Sequence, residues 1–313
     1  MKNLVQYISS LAAAIACLLL FSSRAQAQQD PLYSQYMFNQ LAYNPAYAGS
    51  RGGLSGTFLM RRQWVNLEGS PTTGALSIHG PSKNQRHGFG FSFIHDRLGI
   101  TRQNFVSGSY AYRLPFAGGT LSMGLRGGLT HYANMFSELN PLEVDPMDPG
   151  MNLSVILPRA GAGFYYQLER FYLGVSVPNL LTPYYQFEDS GVDQFESRQE
   201  QHFFGVTGAV IPLNDKIEFR PSIVTKYVNN APLEVDFNAA LFFSRTLWVG
   251  LGYRTGDAIL GMIEINTKKG YRIGYSYDYT ISGLSSVNSG SHEILLGFDL
   301  PGSKNKIISP RFF

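Results

Sequence analysis

The sequence predicts an all-β fold, a transmembrane outer-membrane barrel of about fourteen antiparallel strands, on three observations. Hydrophobicity alternates with a period of two along almost the whole chain. The connections between alternating segments sort into a short set and a long set. The third observation is compositional: only 15% of the 313 residues are charged, against roughly 25% in soluble globular proteins, while Tyr (19) and Phe (22) are abundant.

Residues 1–27 read as a cleaved signal peptide. Lys2 gives a positive start, Leu11 to Phe21 an apolar stretch too short to span a bilayer as a helix, and Ala25-Gln26-Ala27 a small-residue cleavage site, with cleavage after Ala27. Cys17, the only cysteine, lies inside this leader, between Ala16 and more apolar residues, which is not the layout of a lipoprotein site. The mature chain then has no disulfide, thiol nucleophile or thiolate metal site. No later apolar run is long enough for a transmembrane helix, so a membrane location requires a closed barrel.

Residues 28–50 are apolar without strand alternation. Tyr33, Tyr36, Met37, Phe38, Leu41 and Tyr43 are too greasy for a free tail, and Asn44-Pro45 and Ala48-Gly49 are turn signals that fold it back. It has two destinations, the barrel lumen, as a plug, or a periplasmic partner; the lumen is the nearer surface able to bury it. Gln35, Tyr36, Met37, Phe38, Asn44, Pro45, Tyr47 and Gly49 are its candidate site residues.

Residues 51–313 carry the barrel and a C-terminal tail. Alternating segments fall at 54–64, 72–80, 87–96, 102–114, 119–131, 158–168, 171–178, 202–212, 216–227, 233–244, 247–255, 258–266, 270–280 and 290–300. In the next-to-last, Tyr271, Ile273, Tyr275, Tyr277 and Tyr279 share one face and Arg272, Gly274, Ser276 and Asp278 the other. Segments 158–168, 202–212 and 216–227 have the weakest pattern, and Pro221 interrupts the last. With both termini periplasmic, one set of connections has no member longer than six residues, whereas the other holds 132–157 and 179–201. Outer-membrane barrels show this asymmetry. A soluble β-sandwich shares the alternation but not the sorted connections.

On the polar parity, charges of both signs interleave: Arg126, Glu218, Arg220, Glu234, Asp236, Arg254, Glu264, Arg272 and Asp278, with Glu293 and Asp299. These face the lumen, where ion pairs across neighbouring strands fit better than a selective pore, which favours one sign. Tyr110, Tyr112, Tyr172, Trp248, Tyr253, Tyr271 and Tyr279 lie near strand ends, where aromatic girdles form, although some could pack inside. Strand glycines such as Gly88, Gly90, Gly124 and Gly163 suit a crowded lumen.

Little points to chemistry. His79, His87, His95, His131, His202 and His292 lack metal-ligand spacing, and no G-x-S-x-G, P-loop or dinucleotide fingerprint occurs. No catalytic, cofactor-binding or metal residue is predicted. Loop acids Glu138, Glu143, Asp145, Asp148, Glu188, Asp189, Asp193, Glu196 and Glu200 could bind calcium but read more simply as solvated, lacking EF-hand spacing. Balanced charge without a basic cluster argues against nucleic acid.

Asp30-Pro31, Ser34 to Asn39 (SQYMFN) and Tyr43 to Gly49 (YNPAYAG) resemble the opening signature of the PorP/SprF family of type IX secretion and gliding-motility outer-membrane proteins. Arg62-Gln63-Trp64, Pro71, Thr73, His87 to Gly90 with Asp96 and Gly99, Leu121 to Gly124, Tyr172 to Ser176 and Asn179-Leu180 follow in the family's order. The resemblance implies an integral outer-membrane barrel of a Bacteroidetes-type cell that serves the type IX machinery, and it does not imply an enzyme. Its implied partners are the type IX secretion ring or periplasmic lipoproteins and a cognate secreted surface protein or adhesin, besides outer-membrane lipid. On this reading the long loops hold the secreted partner, and residues 28–50 with the short turns meet the periplasmic components. The alternative function is a passive channel or transporter for small solutes, apolar ones included.

Overall fold

The computed structural model describes residues 32–138, 152–181, 184–186, 196–198, 200–229 and 231–300. The expected signal peptide, Asp30-Pro31 and the acids Glu143, Asp145, Asp148, Glu188, Asp189 and Asp193 lie outside these residues. No helix among them is long and apolar enough to cross a membrane, which says nothing of strands.

Fourteen antiparallel strands close into a barrel. They are β1 (Ser55–Arg62), β2 (Thr72–Pro81), β3 (His87–Leu98), β4 (Thr101–Phe116), β5 (Gly119–Asn134), β6 (Leu153–Gln167) and β7 (Phe171–Val177), followed by β8 (His202–Ala209, continued by Ile211–Asn214). The circuit is completed by β9 (Ile217–Val228), β10 (Glu234–Phe243), β11 (Leu247–Arg254), β12 (Ala258–Asn266), β13 (Tyr271–Thr280) and β14 (Ser291–Asp299). Each pairs with its successor, and β14 pairs with β1 from Ser55↔Asp299 to Arg62↔His292, so no edge remains unpaired around the ring. A separate two-stranded pair, Tyr184–Gln186 with Glu196–Arg198, lies within the long connection after β7.

The break in β8 has a simple cause. Gly208 pairs with Ser222 and Ile211 with Phe219, so the register carries through, but the two residues between on β9 are Arg220 and Pro221, and Pro221 has no N–H to give the ladder. On the other side Pro221 keeps its place opposite Ala239.

The long loop expected at 132–157 is shorter, because β5 runs to Asn134 and pairs there with Leu153 of β6. Alternation fades at this end since Tyr132 and Ala133 are both buried, Tyr132 against Leu157 and Val155. The girdle expectation also needs correction. Tyr110, Tyr253, Tyr271 and Tyr279 face outward, whereas Tyr172 and Trp248 are buried inside.

The apolar parity faces away from the ring. Leu125, Ile156, Leu251 and Ile273 are each 58–68% exposed, on strands whose other parity is buried. A sandwich would hide this face between sheets; here it forms the band that meets lipid. The short connections (82–86, 117–118, 168–170, 215–216, 244–246 and 267–270) share one end with the start of β1 and the end of β14. By the asymmetry of outer-membrane barrels that end is periplasmic.

Candidate functional site

The inward parity is occupied by the chain's own residues 32–50, every one of them buried. Three short 3₁₀ turns, Tyr36–Phe38, Gln40–Ala42 and Pro45–Tyr47, shape the segment. They satisfy the backbone locally: Phe38 N–H donates to the Gln35 carbonyl (3.0 Å), Ala42 to Asn39 (3.1 Å) and Tyr47 to Asn44 (3.1 Å). A buried segment outside the sheet ladder requires this, because each unpaired backbone group costs about 1–3 kcal/mol.

Asn44 starts the third turn. Its Oδ1 accepts from Ala46 N–H (2.9 Å), and Pro45 fills the first helical position, where no N–H is needed. The Nδ2 of Asn44 donates to the Phe164 carbonyl of β6 (2.9 Å), tying the turn to the wall. Tyr47 sets its ring edge-on to Tyr165, 5.3 Å between centroids, and its hydroxyl accepts from Arg51 Nε (3.1 Å). Gly49 takes a φ of +75°, which favours glycine, and its N–H donates to His79 Nδ1 (3.1 Å). Tyr36 Oη is 2.8 Å from Ser222 Oγ and accepts from Asn238 Nδ2 (3.2 Å). Phe38 meets Trp248 edge-on at 5.2 Å. Met37 packs in the same cluster, with Leu59 and Leu260.

Strand glycines make room for the segment. A Cβ at Gly124 would run into Ala46, at Gly88 into the Ala48 carbonyl, and at Gly163 into Asn44 Oδ1. Contact this close between segment and wall is possible only without side chains there.

Every charge expected on the polar parity lies inside the ring. Toward the outer end, Arg61 Nη2 lies 2.8 Å from Asp278 Oδ2, and Arg61 Nη1 lies 3.4 Å from Glu293 Oε2. Arg254 pairs with Asp236 (2.8 Å) and reaches Glu234 (3.4 Å) and Asp278 (3.6 Å). Ser34 enters this cluster: its Oγ donates to Asp278 Oδ2 (2.6 Å), and Arg61 Nη1 donates to the same Oγ (2.6 Å). Ser34 and Gln35 N–H groups donate to Glu293 Oε2 (2.9 Å) and Oε1 (2.8 Å). Toward the periplasmic end, Asp299 is shared by Arg51 (2.8 Å) and Arg272 (3.0 Å), and Arg272 lies 3.7 Å from Glu264. Glu218 pairs with Arg220 (2.5 Å), whose guanidinium covers the Phe242 ring at 4.2 Å. Arg126 donates to the carbonyls of Leu41 and Ala42.

Among the described residues, acids and cations interleave on β1 and β9 to β14, whereas Arg126 on β5 is held by carbonyls; a selective pore favours one sign throughout. Sequence reasoning did not single out Arg61, Arg51 or Ser34 as site residues. Arg61 had a signal: with Arg62 beside it in a strand, one of the two must point inward, and Arg61 shares parity with Thr57 and Leu59.

The histidines are dispersed. His95 contacts Asn104, His292 contacts Tyr275 and His87 contacts Tyr110. Among the described residues no group of three or more His, Cys, Asp or Glu could hold a metal ion. The loop acid Glu138 is paired with Arg97 (3.3 Å) and Arg102.

The profile of the family described as type IX secretion system membrane protein PorP/SprF matches residues 25–298. The chain belongs to this family. Among curated proteins none matches it. Among solved structures, this PorP/SprF chain is similar to the outer membrane protein Omp33 of Acinetobacter baumannii, at 12% identity and a TM-score of 0.45, over 79% of this chain and 98% of that one. It is also similar to the TodX deltaS2S3 mutant monoaromatic hydrocarbon channel, at 10% identity and a TM-score of 0.45, over 82% and 92%. A third is the translocator domain of the autotransporter NalP from Neisseria meningitidis, at 10% identity and a TM-score of 0.36, over 79% and 88%. The PorP/SprF membership carries the functional assignment: an outer-membrane barrel with a role in type IX secretion.

Proposed function

We propose that this PorP/SprF barrel works by binding, as an outer-membrane anchor that links a secreted surface protein on its outer loops to the secretion apparatus at its periplasmic turns. The observation that carries this reading is the filled lumen. Residues 32–50 are all buried and are tied to β5, β6, β9, β13 and β14 by hydrogen bonds. On this reading the segment is a plug, and an interior so occupied favours a holding surface over a solute path.

The contact surfaces follow from the two ends of the barrel. The long connections 135–152 and 178–201 lie at the outer end, and the short turns at the other. The periplasmic contact expected from residues 28–50 is not available to residues 32–50, which are enclosed; it passes to the short turns.

Cross-linked affinity purification of the tagged chain from outer membranes of its own host tests this. Specific recovery of a secretion-ring lipoprotein or of a large surface protein is the expected result. Recovery of the barrel alone, under conditions that keep other membrane complexes intact, would overturn the reading in favour of a solute channel. Ion current through the purified barrel would do the same.

A further inference from the structure

The outward face of the wall carries a groove at its periplasmic end. It has a volume of about 560 Å³, within the roughly 300–1,000 Å³ of small-molecule sites, and lies between residues 52–54, the end of β2, the start of β3 and the 82–86 turn. Leu54, Phe89 and Phe91 are its apolar sides, each 45–57% exposed, and Ile78 pairs with Phe91 at the deeper end. Gly80 leaves it open: on the outward parity it pairs with Phe89 and lies against Leu54, with no side chain to fill the space between them. Gln85 Nε2 donates to the Gly52 carbonyl (3.3 Å), which ties the turn to the chain entering β1.

The polar end of the groove carries one sign of charge. The 82–86 turn (SKNQR) holds two cations and no acid. Lys83 and Arg86 are both exposed, and neither side chain makes an ion pair among the described residues. Just inside the turn, His87, Tyr110 and Tyr112 cluster on the outward parity, with His87 Nδ1 2.8 Å from Tyr110 Oη and the Tyr110 ring 5.7 Å from Phe89. Aromatic rings with a polar tip settle at the headgroup level of a bilayer, which sets the depth of the groove: cations at the headgroups, Phe89 and Phe91 at the first acyl carbons.

We propose that this groove seats one anionic glycerophospholipid of the inner leaflet, with its phosphate at Lys83 and Arg86 and the upper part of an acyl chain against Phe89 and Phe91. The groove is continuous with the band that meets lipid, so lipid is what covers it, and the two cations select the headgroup. The proposal takes the short turns as periplasmic and stands whether or not the outer loops hold a surface protein.

Native mass spectrometry of the full barrel tests it, after the detergent-purified protein has been incubated with dioleoylphosphatidylglycerol, with zwitterionic dioleoylphosphatidylcholine or with lipid A. Expected is one retained phosphatidylglycerol, held at least about fivefold more than phosphatidylcholine. Lys83→Gln with Arg86→Gln removes only exposed charge, and Gly80→Leu fills the groove from an outward position; each should cut that retention at least about fivefold, in protein that shows the heat-modifiable migration of a folded barrel. Lys268→Gln with Lys269→Gln, an equal charge in the exposed 267–270 turn at the same end, should stay within about twofold of wild type. Unchanged retention in the Lys83 and Arg86 double variant overturns the proposal, as does an equal loss in the Lys268 and Lys269 double variant, which would make the effect one of rim charge alone. Equal retention of the two phospholipids, or a preference for lipid A, overturns the assignment to an anionic inner-leaflet lipid.

Discussion

Ser34 and Glu293 stand 259 residues apart in sequence, yet the backbone N–H of Ser34 donates to Glu293 Oε2 at 2.9 Å. The contact joins the segment before the first strand to the last strand, and Arg61 from the first strand touches both residues. The three form a node that holds the segment where the sheet closes on itself.

Arg61→Met should therefore destabilise the barrel by about 3–5 kcal/mol, because Asp278 and Glu293 lose their shared cation while remaining buried. Arg62→Met, an exposed position one residue away, should stay within about 0.5 kcal/mol of wild type. Urea unfolding in lipid vesicles, followed by tryptophan fluorescence, measures both.

The strand glycines predict a contrast of their own. Gly88→Ala places a methyl on the Ala48 carbonyl and should cost about 1–3 kcal/mol, as overpacking does. Gly108→Ala, on the outward parity with nothing within 4 Å of the added carbon, should change stability by about 0.5 kcal/mol or less. Equal effects in the same unfolding experiment would mean that residues 44–50 do not press on the wall.

On the lipid face depth should govern the cost. Leu251→Arg, at mid-strand and 68% exposed, should lose about 2–4 kcal/mol of folding stability in a bilayer, and Leu213→Arg at the periplasmic rim about 0–1. In detergent micelles, which adapt their thickness, the difference between the two should shrink.

Opening the lumen needs removal of the segment's bulk. The double variant Tyr36→Ala with Phe38→Ala deletes the rings that meet Ser222 and Trp248. It should pass measurable single-channel current in a planar bilayer, where the wild type passes none. A silent double variant that has folded, judged by its heat-modifiable migration in gel electrophoresis, would show that residues 39–50 suffice to close the barrel.

Strand count, barrel closure and the facing of every singled-out charge were legible in the sequence because each follows from a period of two. Tyr172 and Trp248 were harder to place for the same reason. Phe171 and Leu173 flank the first, and Leu247 and Val249 the second, so both parities are apolar there and neighbours do not reveal which side is inside. The burial of residues 32–50 was also legible, from their aromatic content. Which strands receive them was not, because the Ser34, Arg61, Asp278 and Glu293 cluster draws on four distant stretches that meet only once register and closure are fixed. Glycines at 88, 124 and 163 announced crowding without naming Ala48, Ala46 and Asn44 as its source.

The enclosure of residues 32–50 imposes an order on folding. Tyr33, Tyr36 and Phe38 follow a path that doubles back on itself, so this segment is not easily drawn into a finished ring. The strands therefore have to gather around it before the ring is complete, and the β14–β1 junction supplies both the closure of the sheet and, through Glu293, the binding of Ser34. The strand pairing with the largest loop-closure cost is also the one that locks the interior, so a chain cut short before β14 loses both the closed wall and the Glu293 contact that seats Ser34.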